Sequence, residues 1–183
     1  MAVLDIVKYG DPILRKKCKL VKDFSNIGTI VDDMFDSMYE AEGIGLAANQ
    51  VGINLNIFII DISHTEESDD SYVFVNSSIV ESSSNKSSSS EGCLSLPNIS
   101  LDINRPEKIK LKYQTIDGKW CEDDFSGLLG RAIQHENDHV NGVMIIDRVS
   151  EIEKIKHKTV LKELEVNSKN LTKYNLERKK SLL

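Results

Sequence analysis

The sequence is short of cysteine, of long apolar runs and of positive charge, and each shortage removes a class of protein. Cys18, Cys93 and Cys121 are an odd number at wide spacing in 183 residues, which argues against a disulfide framework and reads as thiols or a metal ligand in a reducing compartment. The longest apolar runs, "IFII" and "VMII", are strand-sized, whereas a membrane helix needs roughly 18 apolar residues; no membrane partner is expected. The start, "MAVLDIVKYGD", lacks a basic stretch followed by an apolar one, so no export signal is read and a cytoplasmic location is the expectation. A formal net charge of −6 argues against a general nucleic-acid binder, and DNA is not an expected partner. The charge is uneven: residues 1–150 hold 14 basic and 24 acidic groups, residues 151–183 nine and five. An acidic body therefore carries a basic tail.

What is present fits one domain with one packed core, at 40% hydrophobic residues and without internal repeats. A first helix is predicted from about Ser25 to Glu42, because Ile27, Ile30, Val31, Met34, Phe35, Met38 and Tyr39 recur at three and four spacing. Ser25 is its expected cap and Gly43 its stop. "NIFIID" and "SYVFVN" read as strands separated by the acidic loop "SHTEESDD". Residues 81–91, "ESSSNKSSSSE", hold seven serines and no apolar side chain, which predicts a mobile surface loop. "EKIKLKYQTIDGKW" predicts a hairpin turning at Asp117-Gly118. A second helix is predicted from Gly127 to Val140 with Asn141-Gly142 as its stop. A third helical segment begins near Ser150, its lysines outward.

The second helix carries the chemistry. "QHENDHVNG" sets His135 and His139 four apart with Glu136 between them. On a helix, positions i and i+4 lie one above the other, so both rings can reach one ion while Glu136 flanks an open coordination position. Two imidazoles are too few to hold a catalytic metal. Downstream, His157, Glu151, Glu153, Glu163 and Glu165 offer a third donor without the His-x-x-Gly-x-x-His continuation of many zinc proteases. Upstream, Cys93 stands in the tight stretch "EGCLS". At this level the third ligand stays open between Cys93 and a downstream group.

Three ordered stretches, "GIGLAANQ" (43–50), "EGCLS" (91–95) and "QHENDH" (134–139), resemble the three signature motifs of the peptide deformylase family. The likeness extends through "VDDMFDSMYEAEGIG", "RPEKIKLKY" and "LLGRAIQHENDHVNGVMIIDR", so it spans most of residues 3–150. It implies an α+β fold in which antiparallel strands surround a central helix bearing HExxH. It also implies removal of the formyl group from N-formyl-methionyl nascent peptides, with release of formate. Carried over residue by residue, it makes Cys93, His135 and His139 the metal ligands and Glu136 the proton carrier. The side-chain amide of Gln50 and the backbone N–H of Leu94 would stabilise the oxyanion, with Gly45 allowing close backbone approach to the substrate. An apolar pocket for methionine is expected from Ile44, Leu128 and Ala132, with Arg131 rimming it, stem buried and head in solvent.

The resemblance implies Fe²⁺ as the physiological ion, and the same donors also suit Zn²⁺, Ni²⁺ or Co²⁺. Residues 1–166 read as a single catalytic domain that includes the C-terminal helix from about 150, and 167–183 as a basic, loosely ordered tail. Lys154, Lys156, Lys158 and Lys162 on that helix suggest a transient ribosome contact. Two departures stand out: Asn98 follows Pro97 where many relatives have Gly, and Asn137 follows Glu136 where a small or apolar residue is frequent. An HExxH peptidase and a non-catalytic metal-dependent module are the competing classes.

Overall fold

The computed structural model describes residues 2–65 and 70–181, with side chains up to residue 171. Among these residues seven strands and four α-helices make an α+β fold: β1 (Gly45–Ala47), β2 (Ile57–Asp61), β3 (Ser71–Ser82), β4 (Lys86–Cys93), β5 (Leu96–Pro106), β6 (Lys108–Gln114) and β7 (Trp120–Ser126), with α1 (Ile27–Glu40), α2 (Gly127–Val140), α3 (Glu151–Lys156) and α4 (Lys158–Ser181). A five-stranded antiparallel sheet runs β1-β2-β3-β6-β7, and β4 pairs antiparallel with β5 as a separate ribbon.

The apolar run of β2 explains the layering. Phe58 and Ile60 face α2, where they pack with Phe74, Ile109, Leu111, Ala132, Ile133 and Val140. Ile57 and Ile59 face the other way, onto Val31, Met34 and Met38 of α1. A strand covered on both faces has no polar side to show, so its sequence is continuously hydrophobic. The β4-β5 ribbon closes a third cluster, in which Leu96, Ile99, Leu101 and Ile103 pack on Leu14, Met144, Ile145 and Ile146. Helix α2 thus lies between the sheet and the ribbon and carries its functional face into the protein.

Several details differ from the sequence expectations. The serine tract is not a loop: Ser87 to Ser90 are strand residues opposite Arg105, Asn104, Ile103 and Asp102. Their side chains are exposed, so the segment buries nothing, yet its backbone is held by the ladder to β5, whose alternate residues are in the core. Helix α1 begins after Asn26 rather than Ser25, and no side chain caps it. Its stop is made by Glu42, which takes the left-handed conformation at φ 55°, while the Gly43 N–H bonds the Met38 carbonyl at 2.9 Å. Gly43 has a further neighbour: a Cβ there would lie 2.7 Å from Cδ1 of Leu94, whose side chain would have to shift. The α2 bounds and the turn at Asp117-Gly118, with Gly118 at φ 82°, agree with expectation.

Asn98 has φ 61°. Asparagine is among the few non-glycine residues that enter this region readily, so the left-handed turn is available here without a glycine. At the C-terminus α3 breaks at His157, and α4 then runs on through position 167. Residues 66–69 of the acidic loop, the tail's side chains from 172 on and residues 182–183 lie outside the described residues.

Candidate metal centre

Helical spacing and a strand end bring three donors together. His135 and His139 stack on successive turns of α2 with ring centroids 5.1 Å apart. Cys93 ends β4, just before the turn through Leu94 and Ser95 into β5. Its sulfur is 3.2 Å from Nε2 of His139, and the ligand atoms of Cys93, His135 and His139 all lie within 4.8 Å of one another. They are the group of metal-type donors found among the described residues. The downstream alternatives sit on the terminal helices, where Glu151, Glu153 and Glu165 pair with Lys154, Lys156 and Lys169.

Burial raises the Cys93 thiol, but the charge of His139 and hydrogen bonds from both imidazoles outweigh it and hold it well below the usual thiol range. That shift favours the thiolate, the form that binds metals. For His135, burial favours the neutral ring, yet hydrogen bonds to Cys93 and Glu91 push the imidazolium up; a bound cation takes the place of that proton. Cys18, by contrast, is simply buried in the core and pushed up to about 11. A thiolate and two imidazoles whose donor atoms lie within 4.8 Å of one another fit a divalent ion.

Glu136 is 4% exposed, and its Oε2 is buried without a hydrogen-bond partner among the described residues. Burial raises its carboxyl above the ordinary value, which suits a group that must both take and give a proton. Gly45 is what makes room for it, because a Cβ at that position would come within 2.6 Å of Oε1 of Glu136. The expectation that Gly45 serves approach to substrate thus omitted the nearer neighbour.

Glu91 was not singled out in the sequence and proves central. Its Oε2 accepts from Nδ1 of His135 at 3.0 Å, which leaves Nε2 of that ring for the ion. Arg105 grips both oxygens at 2.7 and 2.9 Å, and Arg131 adds a third bond at 2.8 Å. Burial alone would raise Glu91, but hydrogen bonds from His135 and Arg105 together with the charge of Arg105 bring it down to about 2. Arg105 continues to Asp138 at 2.8 Å, and Asp138 also binds Arg148. An arginine in an inward position of the alternating strand Ile99–Arg105 is the signal that would have exposed this network. Arg131 is corrected here: its head is not in solvent but bonded to Glu91, the Ile103 carbonyl and Ser87.

Gln50 lies in a 3-10 turn (Ala48–Val51). Its Oε1 accepts from the Ala47 N–H at 2.8 Å, which fixes the amide and turns Nε2 toward Cys93 Sγ at 3.8 Å and Ser95 Oγ at 3.3 Å. Beside it opens a cleft of about 830 Å³ whose wall includes Ile44, Gly45, Leu94, Leu128, Arg131 and Ala132 together with Glu136 and His135. Lys8 and Glu42 line it too, and neither was anticipated.

An α+β fold whose central helix presents two imidazoles and a poised carboxylate to a cleft, with a thiolate from an adjoining strand, defines a metal-dependent hydrolase. The sequence matches the family model for polypeptide deformylase over residues 3–155. It is 44% identical over 155 residues to the peptide deformylase of Acidobacterium capsulatum, covering 84% of this chain and 91% of that one. It is also 44% identical over 166 residues to that of Chromobacterium violaceum, covering 90% and 98%. A crystal structure of the Plasmodium falciparum peptide deformylase superposes with a TM-score of 0.85 at 39% identity, covering 91% of this chain and 98% of that one. The chain belongs to the peptide deformylase family, and its activity is metal-dependent removal of the N-formyl group from the initiator formyl-methionine of nascent peptides, releasing formate. No helix among the described residues is long and apolar enough to cross a membrane.

Proposed function

We propose that Cys93, His135 and His139 hold the catalytic divalent ion and that Glu136 carries the proton of the deformylation. One observation carries this reading: three donors within 4.8 Å of one another beside a buried carboxylate oxygen that has no hydrogen-bond partner among the described residues. When bound, the ion supplies Lewis-acid chemistry, activating a water and polarising the formyl oxygen. Glu136 takes a proton from the attacking water at its free Oε2 and delivers it to the methionine nitrogen as the C–N bond breaks. The Gln50 Nε2–H and the Leu94 backbone N–H donate to the formyl oxygen as it gains negative charge. Gly45 leaves the Glu136 carboxylate its space. Ile44, Leu128 and Ala132 receive the methionine side chain, and Arg131 acts by tying β4 to α2 beside them.

Fe²⁺ is the proposed physiological ion, with Zn²⁺, Ni²⁺ or Co²⁺ as substitutes, since two imidazoles and one thiolate accept all four. Residues 1–166 form the catalytic domain in this reading, with 167–183 as a basic tail and the cytoplasm as the working compartment. A transient ribosome contact through Lys154, Lys156, Lys158 and Lys162 is part of it. Lys154 and Lys156 are bridged to Glu151 and Glu153, but exposed pairs of this kind are weak and leave the charge usable. Salt-sensitive cosedimentation with ribosomes, surviving deletion of 167–183 and lost on charge reversal at the four lysines, is the expected result; absence of binding at low salt refutes it.

The decisive assay is formate release from formyl-Met-Ala-Ser by protein prepared without oxygen and loaded with Fe²⁺, run beside an unformylated peptide. Formate release lost in Glu136→Gln, with metal retained, supports the assignment. Undiminished release in that variant removes Glu136 from the role.

A further inference from the structure

Three consecutive residues of the N-terminal segment bond the backbone carbonyls of Gln50, Leu94 and Ser95, the first two of which carry the donors assigned to the formyl oxygen. The Val7 N–H donates to the Gln50 carbonyl at 2.8 Å, and the Tyr9 N–H donates to the Ser95 carbonyl at 2.9 Å. Between them, Nζ of Lys8 donates to the Leu94 carbonyl at 2.8 Å. Gln50 and Leu94 are 44 positions apart in sequence, so segment 7–9 sets their mutual position from a third place in the chain. The link between Gln50 Nε2 and Ser95 Oγ, at 3.3 Å, closes the loop.

Lys8 differs from its neighbours in this strap. It is half-buried and lines the cleft, yet no carboxylate lies within ion-pair distance of it among the described residues. The partly desolvated ammonium makes its hydrogen bond to a neutral carbonyl; burial lowers its pKa, and the charge of the Cys93 sulfur offsets part of that. A charge-assisted bond is stronger than a neutral one, and this one holds the tight turn that follows the metal cysteine. With the Leu94 carbonyl fixed, rotation about the Leu94 backbone is restricted, and the direction of the Leu94 N–H is restricted with it.

We infer that Lys8 is a positioning residue for deformylation: through the Leu94 carbonyl it aims the Leu94 N–H at the formyl oxygen. This rests on the reading that Leu94 and Gln50 bind that oxygen. The fold has no need of the ammonium, because the Tyr9 to Ser95 and Val7 to Gln50 backbone bonds remain without it. The group therefore acts on the transition state more than on the bound substrate, and its removal falls on kcat.

The test is steady-state deformylation by Fe²⁺-loaded Lys8→Met and Lys8→Arg, with metal content and Tm of each. Loss of a direct oxyanion donor costs about 10²- to 10³-fold, so an indirect support is expected to cost about tenfold in kcat with KM within about twofold. Lys8→Arg, which retains a cationic donor, recovers most of it. A kcat for Lys8→Met within about twofold of wild type overturns the inference. So does a loss that Lys8→Arg does not relieve, or one that tracks lost metal or lowered Tm, since Lys8 is then a structural prop. Gln50→Leu in the same assay separates the two layers: if it keeps wild-type kcat, the underlying reading falls and takes the inference with it. If it loses kcat while Lys8→Met does not, only the role of Lys8 falls.

Discussion

Helix α2 and strand β4 each contribute to one metal centre, yet they are encoded in opposite ways. The helix declares itself locally: Leu128, Leu129, Ala132, Ile133, Glu136, His139 and Val140 repeat at helical spacing, and Asn141-Gly142 ends the run with Gly142 at φ 77°. Its boundaries follow from the chain alone. The strand declares nothing, because Lys86 to Ser90 contain no apolar residue and no alternation. It is a strand because β5 lies beside it with Ile99, Leu101 and Ile103 in the core. Backbone pairing asks nothing of the side chains on the exposed strand. A catalytic residue is thus placed as well by a segment with no signal of its own as by one with a strong signal.

If that contrast is correct, changes at Glu136 on α2 and at Cys93 on β4 separate proton transfer from metal binding. The largest effect is expected from Glu136→Gln on α2: a loss on the order of 10²- to 10⁴-fold in turnover, with metal content and unfolding temperature retained. Cys93→Ala at the end of β4 should instead lose the metal, read by metal analysis after gel filtration. A Glu136→Gln variant that lost its metal, or a Cys93 variant that kept it, would break the comparison.

Next in size is Ile103→Ala on β5, opposite Ser89. The fully buried side chain should cost about 2 to 5 kcal/mol in denaturant unfolding. Because β4 depends on β5 for its position, this variant should also hold metal more weakly in chelator competition. Unchanged metal affinity would show that β4 is fixed by something other than its partner.

Glu91→Gln tests the link between the two elements. Loss of the carboxylate behind His135 should lower metal affinity about 10- to 100-fold. The sign of its pH dependence follows from a folded-state value of about 2 against an ordinary 4.5. The stabilisation is complete above about pH 4.5 and is lost as the pH falls toward 2. Acid unfolding of wild type should therefore be steeper than that of Glu91→Gln between those limits, and parallel curves would contradict the assignment.

The smallest effect belongs to Ser88→Thr on the exposed face of β4. A strand gains from a β-branched residue within a scale that spans about 1 kcal/mol, so Tm should rise slightly. A mobile loop would show no gain.

Legibility in the sequence follows the range of the interaction that fixes each part. The amphipathic period of α1 and α2, the continuous apolar strand β2, the glycine turn of the β6-β7 hairpin and the HExxH spacing are properties of short windows, and they were read from the chain. The order of the three motifs carried the family and with it the expected ligand Cys93. What no window contains is which distant groups share a buried volume. That Glu91 stands behind His135, that Arg105 and Arg131 hold Glu91, that Gly45 clears space for Glu136 and that Lys8 reaches the Leu94 carbonyl are facts of packing between residues 40 to 91 positions apart, the 14-residue step from Glu91 to Arg105 excepted. Desolvation and charge pairing act through space, so only the tertiary structure could decide them.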